Sequence, residues 1–143
     1  MSAMPSIRSS EIRIVQDIPI SKTLKFWEGL KEGKVYGTRC KACGKIFFPP
    51  NGDCSACLSP DMEWIQLSNE AEIEAFTHVV IRPTTFQQYK PYTVAIGRLP
   101  KERIKVLAWL TGFRLSEIRV GMKVKLAAKL SPEGNPTYEF VPP

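Results

Sequence analysis

The chain has 143 residues, of which 43% are hydrophobic and 24% charged, and its formal net charge is +6 at pH 7. This composition is typical of a globular protein, and no apolar run reaches the roughly 18 residues of a membrane span. The first ten residues lack the apolar segment of a signal peptide, so we expect a soluble, cytoplasmic protein. The length suits a small metal-binding module followed by a domain of about 75 to 80 residues.

The positive charge favours an anionic partner, such as nucleic acid, a phosphate-bearing cofactor or an acidic protein surface. Acidic residues nevertheless interleave with the basic ones, and no run of five Lys or Arg residues occurs. An ordinary mixed, solvated surface therefore explains the charge equally well.

The first predicted element is a helix after an extended, partly disordered arm that reaches to about residue 18. From Ser21 onwards, three apolar residues recur at helical spacing, namely Leu24, Trp27 and Leu30. Ser21 is the expected N-cap and Gly33 the expected stop, which gives a helix of about 12 residues.

A helix this short is marginal alone, so its aromatic side chains must pack against something. Packing on the rest of the same chain is one interpretation. The other is that Phe26 and Trp27 partly face a partner chain, because aromatic residues are enriched at interfaces.

All four cysteines fall in one block, as the knuckles Cys40-Lys41-Ala42-Cys43 and Cys54-Ser55-Ala56-Cys57. Two Cys-x-x-Cys turns bring four thiolates to one centre, which predicts a closed structural Zn²⁺ site held by Cys40, Cys43, Cys54 and Cys57. Disulfides would suit an oxidising compartment, and a redox Cys-x-x-Cys would need a βαβ context. Iron can replace zinc in an all-thiolate site. Strands are expected at 35–39 and 45–48, on either side of the first knuckle.

Beyond Pro60 the hydrophobic period becomes two, which predicts five strands, at 72–81, 92–99, 104–111, 122–130 and 137–141. In the first strand, the residues expected to share one face are Ile73, Ala75, Thr77, Val79 and Ile81. A single helical turn at 115–119, between the third and fourth strands, is the element order of an OB-fold barrel. We therefore predict a mainly β chain: N-terminal arm and helix at 1–34, rubredoxin-like zinc ribbon at 35–66, and five-stranded OB-fold at 67–143.

No catalytic constellation is evident, so we do not expect an enzyme. The one histidine, His78, lies in mid-strand and is expected to be a hydrogen-bonded structural residue. A nucleic-acid-binding protein is one alternative, since zinc ribbons and OB-folds often serve that role. The candidates for base stacking are Phe76, Tyr92 and Trp109, but they are not clustered with Lys or Arg in the sequence. The other alternative is a binding or scaffold module that serves an enzyme.

Several segments together resemble a known family. They are Phe26-Trp27-Glu28-Gly29-Leu30, Arg39-Cys40-Lys41-Ala42-Cys43-Gly44, Phe48-Pro49-Pro50 and Cys54-Ser55-Ala56-Cys57, with Gly121-Met122-Lys123-Val124 and Tyr138-Glu139-Phe140 downstream. This order resembles the rubredoxin-like zinc-ribbon plus OB-fold proteins associated with acyl-CoA enzymes. The resemblance implies an accessory protein that binds a thiolase, a hydroxymethylglutaryl-CoA synthase or a related enzyme, and that helps to bind or channel acyl-CoA.

A protein that shares in binding coenzyme A needs cations for its phosphates and an apolar channel for its pantetheine arm. The candidates are Arg82 and Lys90, which flank the long connection between the first two barrel strands, and Tyr92 and Arg98 on the strand that follows. Ordinary solvated charge is the alternative for these residues.

Overall fold

A computed structural model describes residues 5–8, 10 and 14–143 of the chain. Part of the predicted arm, at 1–4, 9 and 11–13, lies outside the described residues. The stretch 14–20 forms neither helix nor strand, and it leaves Ile14, Val15 and Ile18 more than half exposed. Within the described residues, no helix is long and apolar enough to cross a membrane.

The N-terminal helix begins as a 3₁₀ turn at Ser21–Thr23 and continues as α1 at Leu24–Lys31. It ends in a Schellman motif: Gly33 has a φ of +79°, and the Lys34 N–H donates to the Gly29 carbonyl at 2.8 Å. The predicted stop at Gly33 is thus confirmed. Ser21 lies inside the first turn and makes no side-chain cap hydrogen bond, so the N-cap prediction is wrong.

The buried face of α1 differs from the predicted stripe. Phe26 and Leu30 are buried, whereas Leu24 is 46% exposed. The Phe26 ring meets Phe48 and Tyr138 edge to face, at centroid distances of 5.9 and 6.2 Å. The face of α1 that packs on the rest of the chain is therefore formed by Phe26 and Leu30, which are four residues apart, and it does not include Leu24.

The ribbon is a three-stranded antiparallel sheet in the order β2-β1-β3. Its strands are β1 at Tyr36–Cys40, β2 at Ile46–Phe47 and β3 at Met62–Gln66. The first two are the strands predicted beside the first knuckle. The third has no alternating pattern in its sequence and was not predicted; its full-length pairing with β1 defines it.

Five strands form a closed barrel in the order β4-β5-β6-β8-β7. They are β4 at Glu70–Val79, β5 at Tyr92–Leu99, β6 at Ile104–Leu110, β7 at Lys123–Leu130 and β8 at Pro136–Val141. A parallel pairing of β6 with β8 closes the barrel, and a 3₁₀ turn at Leu115–Glu117 lies between the third and fourth barrel strands. This arrangement confirms the predicted OB-fold.

A β-bulge in β4 makes the predicted alternation of this strand wrong. Ile73 pairs with Gly97 and Ala75 pairs with Ile96. β4 therefore advances by two residues where β5 advances by one, and Glu74 is the extra residue. The extra residue reverses which side chains point outward. Ile73 is buried as expected, but Ala75 and Thr77 are exposed.

The barrel core is closed around Phe140, which is 0% exposed. Gly97 of β5 faces this ring: a Cβ added at Gly97 would lie 2.5 Å from the Phe140 Cζ atom. The core also contains Phe26, Leu30 and Val35, so the helix and the start of the ribbon pack into the same apolar cluster as the barrel. The predicted divisions at 34/35 and 66/67 stay predictions.

Candidate functional site

The four cysteines converge on one point in the ribbon. Their Sγ atoms all lie within 4.8 Å of one another, and two pairs, Cys40 with Cys57 and Cys43 with Cys54, are 3.6 Å apart. A disulfide would need about 2.05 Å. A tetrahedron of thiolates about 2.3 Å from a metal has edges of about 3.8 Å. The sulfur set therefore fits a structural metal ion.

The two knuckles share one backbone design. In the first, the Gly44 N–H donates to the Cys40 carbonyl at 2.8 Å; in the second, the Leu58 N–H donates to the Cys54 carbonyl at 2.9 Å. Both closing residues have positive φ, +77° at Gly44 and +61° at Leu58. Each turn thus directs its pair of sulfurs toward the same centre.

The electrostatics of the cluster favour a bound cation. The N–H groups of Cys57 and Ala56 point at the Cys54 sulfur and lower the pKa of its thiol to about 6. The pKa of Cys57 rises to about 12: the Ser59 N–H lowers it, but the neighbouring thiols of Cys40 and Cys54 raise it further. Four adjacent thiolates repel one another, so full deprotonation requires a positive ion at their centre.

Replacing Leu58 with glycine should stabilise the protein, because a left-handed backbone costs a non-glycine residue about 1 to 2 kcal/mol. Leu58 is 83% exposed, so little packing would be lost. After the extra backbone entropy of glycine is subtracted, we expect a gain of up to about 1 kcal/mol in the free energy of unfolding, measured in urea. Gly44→Ala is the matched control and should destabilise; a loss of stability in Leu58→Gly would contradict the prediction.

The structure places the two aromatic residues predicted to contact a partner in different environments. Phe26 is 5% exposed and packs inside the chain. Trp27 is half-buried, and its indole N–H is enclosed without a hydrogen-bond partner. Leu24, on the outward side of α1, is the more exposed apolar residue. An apolar contact of this helix with a partner would therefore come from Trp27 and Leu24 rather than from Phe26.

The four residues predicted to bind coenzyme A are not brought to one place. Tyr92 stacks on Trp109, with ring centroids 4.4 Å apart and an interplanar angle of 12°. Arg98 lies six residues further along β5, roughly 20 Å away. Its guanidinium is 3.9 Å from the Glu72 carboxylate and 3.5 Å from that of Glu74. Arg82 and Lys90 lie on the β4–β5 loop, where Lys90 is exposed and the Arg82 Nε atom is buried without a partner.

A groove of about 420 Å³ lies on the outer side of β5, β6 and β8. The β4–β5 loop contributes Phe86 and Tyr89, the strands contribute Trp109 and Glu139, and the β7–β8 turn contributes Pro132. Sequence reasoning missed this cluster, because its residues are far apart in the chain. The pairing of Val94 with Trp109 brings β5 and β6 into register, and this register places Trp109 beside the Tyr92 ring.

His78 has the structural role expected of it. Its Nδ1 atom lies 2.9 Å from the Thr93 hydroxyl, and Thr93 is 6% exposed. The hydrogen bond joins β4 to β5 beyond the bulge.

Two family models match consecutive parts of the chain. The rubredoxin-like zinc ribbon domain of ChsH2 matches residues 27–63, and the C-terminal OB-fold domain of ChsH2 matches residues 64–129. The boundary between the two matches falls inside β3. Together they cover the ribbon, most of the barrel and the second half of α1.

Individual proteins are also similar. A DUF35 domain-containing scaffold protein of Pyrococcus furiosus is 31% identical over 106 residues, which are 73% of this chain and 76% of that protein. The benzoylsuccinyl-CoA thiolase subunit BbsA of Thauera aromatica is 30% identical over 76 residues, 53% of this chain and 51% of that subunit. A solved structure, the Ltp2-ChsH2(DUF35) aldolase, has the same fold, with a TM-score of 0.73 at 21% identity over 89% of this chain and 98% of that one.

Proposed function

Because the chain belongs to the DUF35 family of ChsH2-type proteins, with a rubredoxin-like zinc ribbon before an OB-fold, we propose that it is a non-catalytic scaffold subunit. Its partner in this proposal is a thiolase or a related acyl-CoA enzyme. The family match across both modules is the observation that carries the proposal. A relative named as a scaffold protein and another named as a thiolase subunit support it.

The metal in this proposal is zinc. All four donors are cysteine sulfurs, so a tetrahedral ion held by Cys40, Cys43, Cys54 and Cys57 has no position left for water or substrate. A zinc ion bound there would stabilise the ribbon by linking its two knuckles, and it would not act as a Lewis acid. Cys40 and Cys54 are each 1% exposed, so two of the ligands are sheltered by the ribbon itself.

We propose that the β4–β5 loop makes the contact of the scaffold with acyl-CoA. Arg82 and Lys90 remain the proposed phosphate ligands, and Tyr92 offers an aromatic surface. The ion pairs of Arg98 with Glu72 and Glu74 reduce its availability for a phosphate. In this proposal the scaffold helps to bind or channel acyl-CoA.

The alternative, nucleic-acid binding, has less support from the structure. OB-folds that bind oligonucleotides use the outer side of their second and third strands together with the neighbouring loops. Here the groove on β5 and β6 forms the centre of that region, and among the described residues that line it none is basic, while Glu139 is acidic. Two cations further along these strands, Arg98 and Lys105, are paired with Glu74. A phosphodiester backbone needs cations at such a place.

The test is recovery of the partner with an affinity-tagged chain expressed in its native host, followed by mass spectrometry. We expect an acyl-CoA enzyme in defined stoichiometry. Trp27→Ala should weaken the complex by about 2 kcal/mol if the half-buried indole is central to the interface. Lys101→Ala, in the exposed turn between β5 and β6, is the control and should leave the complex intact.

Two results would contradict the proposal. One is recovery of ribosomal or other nucleic-acid components in place of an acyl-CoA enzyme. The other is tight binding of single-stranded oligonucleotides that weakens steeply with salt, measured by calorimetry beside acetyl-CoA. A thermal melt of Trp27→Ala separates loss of contact from loss of folding.

A further inference from the structure

The outer side of the barrel carries an apolar surface that none of the residues described by the structure covers. We call it the outer apolar face, and it consists of Ala75, Thr77, Val94, Ile96, Leu107 and Trp109. Leu107 is 61% exposed and Ile96 37% exposed. The bulge in β4 contributes to it, because it turns Ala75 and Thr77 outward. Surfaces of this kind, when rimmed by polar residues, mark sites of protein interaction.

One end of this face is bounded by ion pairs. Glu74 lies 3.5 Å from the Arg98 guanidinium and 2.7 Å from the Lys105 ammonium, and Arg98 also reaches Glu72. The two carboxylates and the two cations balance in charge, and all four side chains are partly exposed. They form a polar rim of the type that surrounds the apolar centre of an interface.

The other end opens into the aromatic groove. The Trp109 ring lies 6.4 Å from the Phe86 ring and 5.7 Å from the Tyr89 ring, centroid to centroid. Tyr89 also donates its hydroxyl hydrogen bond to Glu133, which ties the β4–β5 loop to the β7–β8 turn across the groove. The walls of the groove are therefore held together by a contact between two loops.

The charge of the groove is negative, although the chain as a whole carries +6. Glu139 lines it, and this carboxylate accepts a hydrogen bond from the Thr111 hydroxyl at 2.8 Å, which leaves further acceptor capacity. Glu133 is a second carboxylate at the edge of the groove: it accepts the hydrogen bond of the Tyr89 hydroxyl, which lowers the pKa of Glu133. Aromatic rings and carboxylates at one place attract a cation, and a guanidinium suits both, because it stacks on rings and pairs with carboxylates.

We propose that the outer apolar face is the surface on which the partner enzyme docks, and that the groove receives an arginine side chain of that enzyme. The inference rests on the proposed function for the identity of the partner. Apolar residues of the enzyme would cover Ile96 and Leu107, and its arginine would lie against Trp109 beside Glu139.

The arginine pocket can be tested on the isolated, metal-loaded chain by nuclear magnetic resonance. The probe is Nα-acetylarginine amide, and its control is Nα-acetylcitrulline amide, which has nearly the same shape without the charge. We expect saturable shifts of the Trp109 indole and the Tyr89 amide, with binding at least about fivefold weaker for the citrulline compound. Glu139→Gln should remove this preference, whereas Glu28→Gln, on the exposed side of α1, should keep it. Equal binding of the two probes, or no saturable shift, would overturn the inference.

The docking face is tested on the complex with Leu107→Glu, a change at a position that is 61% exposed, and a thermal melt of the variant checks that it folds. We expect at least a tenfold weaker complex, since a charge would be placed against the apolar side chains of the enzyme that cover this face. An unchanged complex would overturn the inference and leave the proposed function standing. A dimer of the isolated chain that Leu107→Glu dissociates, seen by sedimentation, would identify a second copy as the occupant and would overturn it too. Failure to recover any enzyme, with arginine binding intact, would count against the proposed function alone.

Discussion

Replacing Cys54 with serine is expected to abolish metal binding and to unfold the ribbon. Cys54 is 1% exposed, and its sulfur accepts two backbone N–H bonds, so no other group can take its place. Binding of a structural zinc ion stabilises small ribbon domains by about 10 kcal/mol or more, far beyond what the three short strands provide alone. Elemental analysis should show about one metal ion per chain in the wild type and little in Cys54→Ser.

Hydrogen exchange locates the effect of losing the metal. We expect the amides of 36–66 to lose protection, while those of β4 to β8 keep most of theirs, because the barrel closes on itself. Any loss in the barrel should fall on β8, where Tyr138 packs on Phe48 of the ribbon. Ser55→Ala, in the same knuckle but exposed, is the control and should bind the metal normally. Removal of the metal from the wild type by a chelator should reproduce the Cys54→Ser pattern. A metal-free ribbon that stays protected would contradict the prediction.

Replacing Gly97 with alanine should strongly destabilise the barrel. The added Cβ would lie 2.5, 2.9 and 3.1 Å from three atoms of the Phe140 ring, which is fully buried and has no space to retreat. Overpacking of this kind costs about 3 kcal/mol, which we expect as a loss in the free energy of unfolding measured in urea. Ile96→Ala, the exposed neighbour on β5, is the control and should cost much less.

A double mutant identifies the cause. Phe140→Leu alone should destabilise by leaving a cavity, but in combination with Gly97→Ala the smaller side chain makes room for the added methyl group. The double mutant should therefore be more stable than the sum of the two single changes predicts. Strictly additive losses would show that the ring of Phe140 is not what opposes a side chain at Gly97.

The elements that could be predicted from the sequence are those determined by local spacing. Two Cys-x-x-Cys turns predict that four sulfurs converge, as they do, and Gly33 ends the helix because a left-handed residue is needed there. The alternation from Met122 to Leu130 predicts β7, since the outward Lys123 and Lys125 are each followed by a buried apolar residue, Val124 and Leu126. In these cases the information lies within a few residues of the feature.

The features that could not be predicted depend on contacts between distant segments. The face of α1 is set by Phe48 and Tyr138, which come from the ribbon and from the last strand. The bulge in β4 arises from its register with β5, and no glycine or proline marks it in the sequence. The groove needs Trp109 to lie beside Tyr92, and only the pairing of β5 with β6 brings them together.

The shared packing of Phe26 bears on how this protein would assemble with another. Because this ring lies between Phe48 of the ribbon and Tyr138 of the barrel, the two modules are joined by a buried core rather than by a flexible linker. Swivelling of one module against the other would break that core. A partner that touches both modules at once therefore meets a preformed surface and loses little conformational entropy on association. The shared core therefore fixes the position of the ribbon surface relative to the barrel surface.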